Sequence, residues 1–582
     1  MPRSAVVTKK RWHIRPADER AAALAGALRI HPLVAQVLIN RGLCDVDPAR
    51  AFLGPKLIEL IEPDRMTGMD AAVARLREAM DRREPITLYG DYDVDGITGV
   101  AILYNLLTLL GAEVRYYIPH RIDEGYGVNA EALDQIAADG TRLVVTVDCG
   151  ITAVEQTARA AELGMDVIVT DHHRPGPALP AAAAIVHPGL DAAYPNPDSA
   201  GATVAFKLAW ALVNAMNNGA RARGEVRRFL LDATTLAAIG TIADVVDLRG
   251  ENRVLAHYGL QALRNTEMTG LRALIDSAEL NAETLDGYDI GFRLAPMLNA
   301  AGRMGHARLA VELLTSDSEI RCMQIARYLR DQNRQRQACQ RQIVKQARER
   351  IAELGLSHPD RRTLVLADMD WHGGVLGIVA ARLAEEFLRP TVMISAPDGQ
   401  PVAQGSARSV AGFNLYQAIC ACGEHLVSFG GHAMAAGVRI SSDRIEPFTE
   451  AFEAYAQEHL DADLLEPSLH VDAVCRVGDL SASVVGQLHR LEPFGQGHPA
   501  PVFVTRGVRW ISPPRVVGAR GDHLQIAVSD GSGSAACIGF GMGRLEKKLL
   551  EAEAFSIAYK PQFNTFRGAK TVQFVLDDVQ FD

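Results

Sequence analysis

The sequence lacks paired cysteine clusters, a long hydrophobic run and any excess of positive charge. Each lack excludes something. Its eight cysteines are scattered, and Cys420 and Cys422 stand one residue apart with no matching second pair. A structural zinc site is therefore not expected, and reduced, packing thiols fit a cytoplasmic compartment. The longest apolar stretch, Gly99 to Ala112, is interrupted by Asn105 and Thr108. It falls short of the roughly 20 residues that a bilayer requires, so no membrane association is expected. Met1 to Trp12 is basic, but no hydrophobic stretch follows it to make a secretory signal. A formal net charge of −10 argues against coating nucleic acid by bulk charge. It leaves a nuclease open, because metal-binding carboxylates are counted without their cations and a basic groove can exist on an acidic protein.

At 582 residues the chain exceeds one hydrophobic core, and three or four domains are expected. Short β-rich runs at Ile86–Tyr89, Val114–Ile118, Leu143–Val147, Val167–Thr170 and Ala184–Val186 alternate with helical stretches such as Ile97–Leu110 and Thr152–Leu163. That pattern predicts an α/β domain with a mostly parallel sheet. Helical sequence dominates from Val204 to about Asp276. From Ser316 to Leu354 neither proline nor glycine interrupts a long polar helix, read as a connector. Arg321 to Arg350 carries nine Arg or Lys residues against Asp331 and Glu349 alone, so this helix could line a groove and track a nucleic-acid backbone, or simply be solvated. A smaller α/β unit begins at Thr363–Leu366 and Thr391–Ile394 and closes with the helical segment Ser442–Leu460. Beyond Pro467, short segments at Val502–Val504, His523–Val528, Ala535–Ile538 and Val572–Leu576 predict a small β-barrel.

The chemistry concentrates at two strand ends. Asp91-Tyr92-Asp93-Val94-Asp95-Gly96 follows the first β-run, and Asp171-His172-His173 follows the fourth. Ligands of open α/β sheets sit past the carboxyl ends of the strands, and several carboxylates packed there need cations to neutralise them. Carboxylate oxygen with imidazole nitrogen suits Mn²⁺ or Mg²⁺. The bland reading of Asp91, Asp93 and Asp95 is a solvated loop with an N-cap. Asp148 ends the third run and, taken alone, reads more readily as a helix N-cap than as a ligand bridging two ions. Of His172 and His173, one would ligate and the other would face a phosphate, with a neighbouring aspartate as a candidate to fix the tautomer of the ligand. Asp244, inside the apolar segment Gly240–Val246, is either paired with Arg249 or bound to metal.

Assembled, these segments resemble the DHH phosphoesterase superfamily, and within it the RecJ exonuclease family. The resemblance runs over almost the whole chain and includes Tyr89–Gly96, Val147–Gly150, Asp171–His173, Gly240–Val246, Leu298–Arg303, Trp371–Val375, Gly405–Ser409, Gly430–Gly437 and Leu491–Gly497. It implies an N-terminal extension over 1–75, a DHH domain over 76–310, a connector helix over 311–356, a DHHA1-type domain over 357–462 and an OB-type domain over 467–582. The implied activity is a Mn²⁺- or Mg²⁺-dependent 5′→3′ exonuclease that degrades single-stranded DNA to mononucleotides in DNA repair and recombination. It acts by metal-activated attack on the phosphodiester at a two-ion site. By position, Asp93, Asp95, Asp148, His172 and Asp244 would be metal ligands, Asp148 the bridge. Asp91 would assist the catalytic site, and His173 and His432 would face the scissile phosphate. Arg303, Ser406 and Arg408 would hold the terminal 5′-phosphate or nearby backbone. A monomer is expected, with a single-strand-binding protein and a helicase as partners. The alternative is a phosphodiesterase or pyrophosphatase of the superfamily acting on small substrates. Three departures stand out. Tyr89 replaces a histidine ligand found in many relatives, which would leave the first metal's ligand set incomplete. Asp247 and His498 replace a proline and an asparagine and are expected to be tolerated. In the last domain Phe503, Trp510, Phe540 and Phe566 are either base-stacking platforms or, for about two thirds of them, core.

Overall fold

A computed structural model describes residues 10–120, 124–125, 127–217, 223–303, 306–519, 521–566 and 569–581. The first sheet is wholly parallel and has the order Val114–Tyr117, Ile86–Gly90, Leu143–Val147, Asp166–Thr170, Ala184–Val186. Its central strands are buried on both faces, so they read as continuous apolar runs without alternation. The chain winds outward in opposite directions from Ile86–Gly90 and Leu143–Val147. This pair is therefore the switch point at which the strand ends leave a crevice. Helices Val94–Leu109, Gly201–Met216 and Gly224–Ala243 cover one face and bury a core with Ile97, Leu103, Val204, Leu208 and Leu236.

The helix Glu319–Glu353 links this domain to the next. At about 1.5 Å per residue it reaches about 52 Å. It is more than a polar strut. Cys322, Ile325, Ala326 and Leu329 belong to the core of the first domain, and Ile343, Val344, Ala347 and Ile351 pack with Trp371 and Leu376 of the second. The second sheet is mixed, in the order Leu364–Asp368, Thr391–Ser395, Val402–Arg408, Ala435–Ser441, Ser428–Gly431, with only its first pair parallel.

The C-terminal sheet runs from Ala473–Val474 through Phe503–Val517, His523–Ser529, Ser534–Gly539 and Ala569–Phe581 to Phe555–Phe566. Phe555–Phe566 also pairs with Phe503–Val517, so the ladder returns on itself. The segment from Arg11 to Leu53 packs mainly on this sheet. Arg11–Ile14 pairs in parallel with Ser468–Val471. Leu24, Val34, Leu38 and Leu53 share one core with Phe503, Phe555 and Phe574. No single helix among the described residues is long and apolar enough to cross a membrane.

Candidate metal centre and active site

The crevice collects the predicted residues from four strand or helix ends. Asp91 and Asp93 follow the first central strand, Asp148 the second, and His172 and His173 follow Asp166–Thr170. Asp244 caps the C-terminal end of Gly224–Ala243. Ligand atoms within 4.8 Å of one another form three groups: Asp91, Asp93 and Asp148; Asp95, His172 and Asp244; and Asp148, His172 and His173.

Local sequence explains the placement. Asp93 is the N-cap of Val94–Leu109 and accepts from Asp95 N–H at 2.9 Å and Gly96 N–H at 3.3 Å, so the capping reading holds for it while its carboxylate still faces the cluster. Asp95 is buried in the first turn and accepts from the N–H groups of Gly201 at 2.5 Å and Ala202 at 2.9 Å. It thereby sits against the N-terminus of a second helix, where the dipole favours negative charge. Asp148 caps no helix: the next one starts at Val154 with Ala153 as its N-cap. Asp148 instead adopts a left-handed φ of 62°, a strained conformation for a non-glycine residue, and its amide is tied to Thr170 O at 2.9 Å. Two glycines leave room for the carboxylates. A Cβ on Gly201 would lie 2.6 Å from Asp148 Oδ1, and one on Gly240 would lie 2.5 Å from Asp95 Oδ1.

The two histidines diverge in role. His172 Nε2 lies 3.1 Å from Asp148 Oδ1 and 3.8 Å from both Asp95 and Asp244, yet it is buried and makes no hydrogen bond. Burial, then the neighbouring His173, push its pKa down to about 4, so the imidazole is neutral. Asp171 and the Ser199 backbone oppose that shift without reversing it. Asp171 serves His173: its Oδ1 accepts from the His173 amide and lies 2.8 Å from His173 Nδ1, while Oδ2 takes the Ile151 amide. Burial opposes protonation of His173, but Asp171 and the other carboxylates outweigh it and raise its pKa to about 9. Burial and then mutual repulsion push the Asp95 carboxyl up to about 7 and that of Asp244 to about 8, and raise Asp148 well above the ordinary range. Carboxylates pushed toward neutrality around a neutral, unbonded imidazole nitrogen fit a divalent cation, whose charge would remove the repulsion.

Arg249 does not pair with Asp244; it donates to Gly497 O at 2.9 Å. Tyr89 faces away from the crevice. It is stacked on Tyr117 at 5.3 Å, donates to Gly127 O at 3.1 Å and accepts from the Asn129 amide at 3.2 Å. It occupies the second core of the domain with Cys149 and Val169, and Asp91 stands with Asp93 and Asp148 on the crevice side.

A basic wall forms where the two α/β units meet. Arg303 Nη1 donates to Gly374 O at 3.1 Å, at the start of helix Gly373–Phe387. Arg408 Nη1 donates to Ser406 Oγ at 3.2 Å, and a Cβ on Gly377 would lie 2.8 Å from Arg408 and 3.0 Å from Ser406. Two arginines, a hydroxyl and a helix N-terminus make a phosphate-binding combination. His432 is not joined to either cluster. It is exposed at the turn before Ala435–Ser441, with its amide donating to Ala435 O at 2.7 Å.

Sequence reasoning missed three positioning residues. Asn299 Oδ1 accepts the Val94 amide at 3.1 Å and braces the carboxylate loop. His187 Nε2 lies 2.7 Å from His173 O; its place directly after strand Ala184–Val186 was the available signal. Gly201 has no pattern that would have revealed it. Among the aromatics of the last domain, Phe503 is core, Trp510 packs partly against it and Phe540 is exposed; the Phe566 side chain lies outside the described residues. His498 is buried, bonded to Leu491 O at 2.8 Å and set edge-on to Phe52.

A parallel sheet with acidic residues and histidine at its switch point, followed by a mixed-sheet unit that supplies arginine and serine, defines a metal-dependent phosphoesterase of the DHH type. Family models agree: the DHH family N-terminal domain matches residues 85–241, the DHHA1 domain 361–458 and the RecJ OB domain 471–578. The chain is 38% identical to the single-stranded-DNA-specific exonuclease RecJ of Bacillus subtilis, over 98% of this chain and 71% of that protein. The crystal structure of RecJ with Mn²⁺ from Thermus thermophilus superposes with a TM-score of 0.83 at 30% identity, covering 98% of this chain and 80% of the other. The Mg²⁺ complex from the same organism gives 0.77 at 28%, over 98% and 78%. The chain belongs to the RecJ family.

Proposed function

We propose that this protein is a Mn²⁺- or Mg²⁺-dependent exonuclease that hydrolyses single-stranded DNA from its 5′ end to mononucleotides. The observation that carries this reading is the buried His172 Nε2, which has no hydrogen bond and lies among Asp95, Asp148 and Asp244. Asp91, Asp93 and Asp148 would hold one ion, and Asp95, His172 and Asp244 a second, with Asp148 positioned to serve both. Bound divalent ions supply water activation and charge neutralisation at the phosphate. Asp91 would then be the third ligand of the first set, on the crevice side that Tyr89 does not face. His173, protonated through Asp171, would donate from its other nitrogen to a phosphate oxygen. Arg303, Ser406 and Arg408 would clamp the terminal 5′-phosphate, and that choice of end sets the polarity. His432 would reach the phosphate only if the second unit closes on the first. The RecJ OB match over 471–578 supports a polymeric substrate over a small phosphodiester. The expected setting is a monomer that works with a single-strand-binding protein and a helicase in repair and recombination.

The test uses purified protein with Mn²⁺ and strands labelled at either end. Early release of 5′ label as mononucleotide is expected, with Asp95→Ala reducing the rate by more than the roughly 100-fold that outer partners of a metal ligand cost. Release of 3′ label first would overturn the polarity, and full activity of Asp95→Ala would overturn the metal centre.

A further inference from the structure

Tyr288 and Phe292 are exposed large aromatics, at 63% and 67%, and they stack on each other with ring centroids 4.6 Å apart and planes 24° from parallel. Two rings one turn apart gain little by stacking in water, and a paired aromatic face left open to solvent is what an unpaired base would cover. They stand where Gly287–Asp289 passes into the π-helical turn Ile290–Leu294, an irregularity frequent at functional sites. The turn is built rather than frayed. Asp286 and Asp289 cap it reciprocally, and Asp289 pairs with Arg293 at 3.2 Å.

The location ties the pair to the crevice. A Cβ on Gly291 would lie 3.9 Å from Ile242, two residues before Asp244. Val245, next to Asp244, is 61% exposed and held at φ 62°, which is costly for a β-branched residue. On the other side, Gly287 abuts Pro493 and Phe494 at the entrance to the C-terminal domain. The helix then runs on through Asn299, which braces the carboxylate loop, to Arg303. Phe292 and Arg303 are thus separated by about 16 Å of helix at about 1.5 Å per residue. That length spans about four or five stacked nucleotides at about 3.4 Å each.

We infer that Tyr288 and Phe292 form a stacking platform for an unpaired nucleobase of the substrate strand, several nucleotides from the end held at Arg303. The inference rests on the exonuclease reading and adds to it a base-contacting subsite and a minimum substrate length. Stacking on a ring face is indifferent to base identity but requires a base.

The platform is tested by fluorescence anisotropy in EDTA, where no turnover occurs, with wild type and Tyr288→Ala/Phe292→Ala. Both side chains are exposed, so the fold is expected to survive, and an unchanged Tm confirms it. The double variant is expected to bind a 12-nucleotide strand roughly 5- to 100-fold more weakly and to bind a trinucleotide as wild type does. With Mn²⁺, KM for the long strand rises while kcat holds. Phe292→Trp keeps the platform, and its added emission is expected to be quenched by the 12-nucleotide strand but not by an abasic strand of the same length. Equal affinity of the double variant and wild type for the long strand, or equal quenching by the abasic strand, overturns the platform. If the wild type releases no nucleotide and yet Phe292→Trp is quenched as expected, the platform stands and the exonuclease reading falls.

Discussion

Individual residues at the crevice carry opposing electrostatic demands, and pH sets the balance. Asp95 and Asp244 have pKa values raised to about 7 and about 8 by burial and then by neighbouring carboxylates, Asp93 for Asp95 and Asp95 with Asp93 for Asp244. Unfolded aspartates titrate near 3.9. The metal-free folded state therefore binds protons that the unfolded state has lost, so the stability these groups contribute is present below about pH 4 and lost as pH rises to about 8. Divalent ions need the same carboxylates deprotonated, so metal relieves a strain that grows with pH. The increase in Tm on adding Mg²⁺ is expected to be several degrees larger at pH 8 than at pH 6, as read by differential scanning fluorimetry; a gain that is equal or smaller at pH 8 contradicts it. At this scale the sequence was informative about which residues converge and silent about which face each takes. Asp93, Asp95 and His172 were legible because charged groups follow apolar strands, whereas Asp148 and Asp244, at the end of a helix, were assigned as ligands only by the family resemblance. The direction of Tyr89 was not, because a strand buried on both faces shows no alternation to read.

Among the elements, the helix Glu319–Glu353 is the connector that its sequence predicts, though its packing could not be read there. Its length was plain from the absence of proline and glycine, and its basic face suggested a track for DNA. Four of its nine basic residues pair with carboxylates outside the helix: Arg321 with Glu312, Arg334 with Glu279, Arg348 with Glu386, and Arg350 with Asp368. Partners distant in sequence cannot be read from one segment's composition. The helix is a coupling rod, since its two halves enter the cores of different domains. The rod also fixes where the wall containing Ser406 and Arg408 stands relative to the carboxylates. Ala338 lies exposed at its middle. Ala338→Pro removes a hydrogen bond and kinks the helix there, at a cost of about 3 kcal/mol or more. Exonuclease activity is expected to fall at least about tenfold, while Mg²⁺ affinity by isothermal titration stays at the wild-type value. Unchanged activity would show that the two units need no rigid link; loss of Mg²⁺ binding would show that the kink spreads into the catalytic core.

Across the whole molecule, the N-terminal segment and the C-terminal domain, which lie at opposite ends of the chain, form one body that is fastened to the catalytic domain by Arg249, Tyr258, the Leu248 amide and, most extensively, the buried side chain of Arg253. Arg253, on helix Gly250–Arg264 of the catalytic domain, donates to Phe52 O at 3.0 Å and Leu491 O at 2.8 Å, and to Arg490 O and Glu492 O at 3.2 Å each. Its guanidinium also lies 3.7 Å from the centre of the Phe52 ring. Burial lowers its pKa to about 10, so it remains a cation at neutral pH, held by four carbonyls with no carboxylate. The Arg41–Asp472 ion pair, at 2.5 Å with both partners largely buried, and the Asn40 bonds to Asp472 hold the N-terminal segment to the C-terminal domain independently. The two fastenings should therefore separate. Arg253→Ala leaves the buried carbonyls without their donor, each costing about 1–3 kcal/mol where water cannot reach it. It should loosen the C-terminal body from the catalytic domain without unfolding either. Calorimetry is expected to show the wild type melting in one dominant transition and Arg253→Ala in two, with Mg²⁺ raising only the one that belongs to the catalytic domain. Because Gly287, at the start of the turn that carries Tyr288 and Phe292, abuts Pro493 and Phe494, the same variant should lose affinity for long strands while trinucleotides are hydrolysed as before. A single transition shifted uniformly downward would mean that the three domains melt as one cooperative unit and that Arg253 is one contact among many.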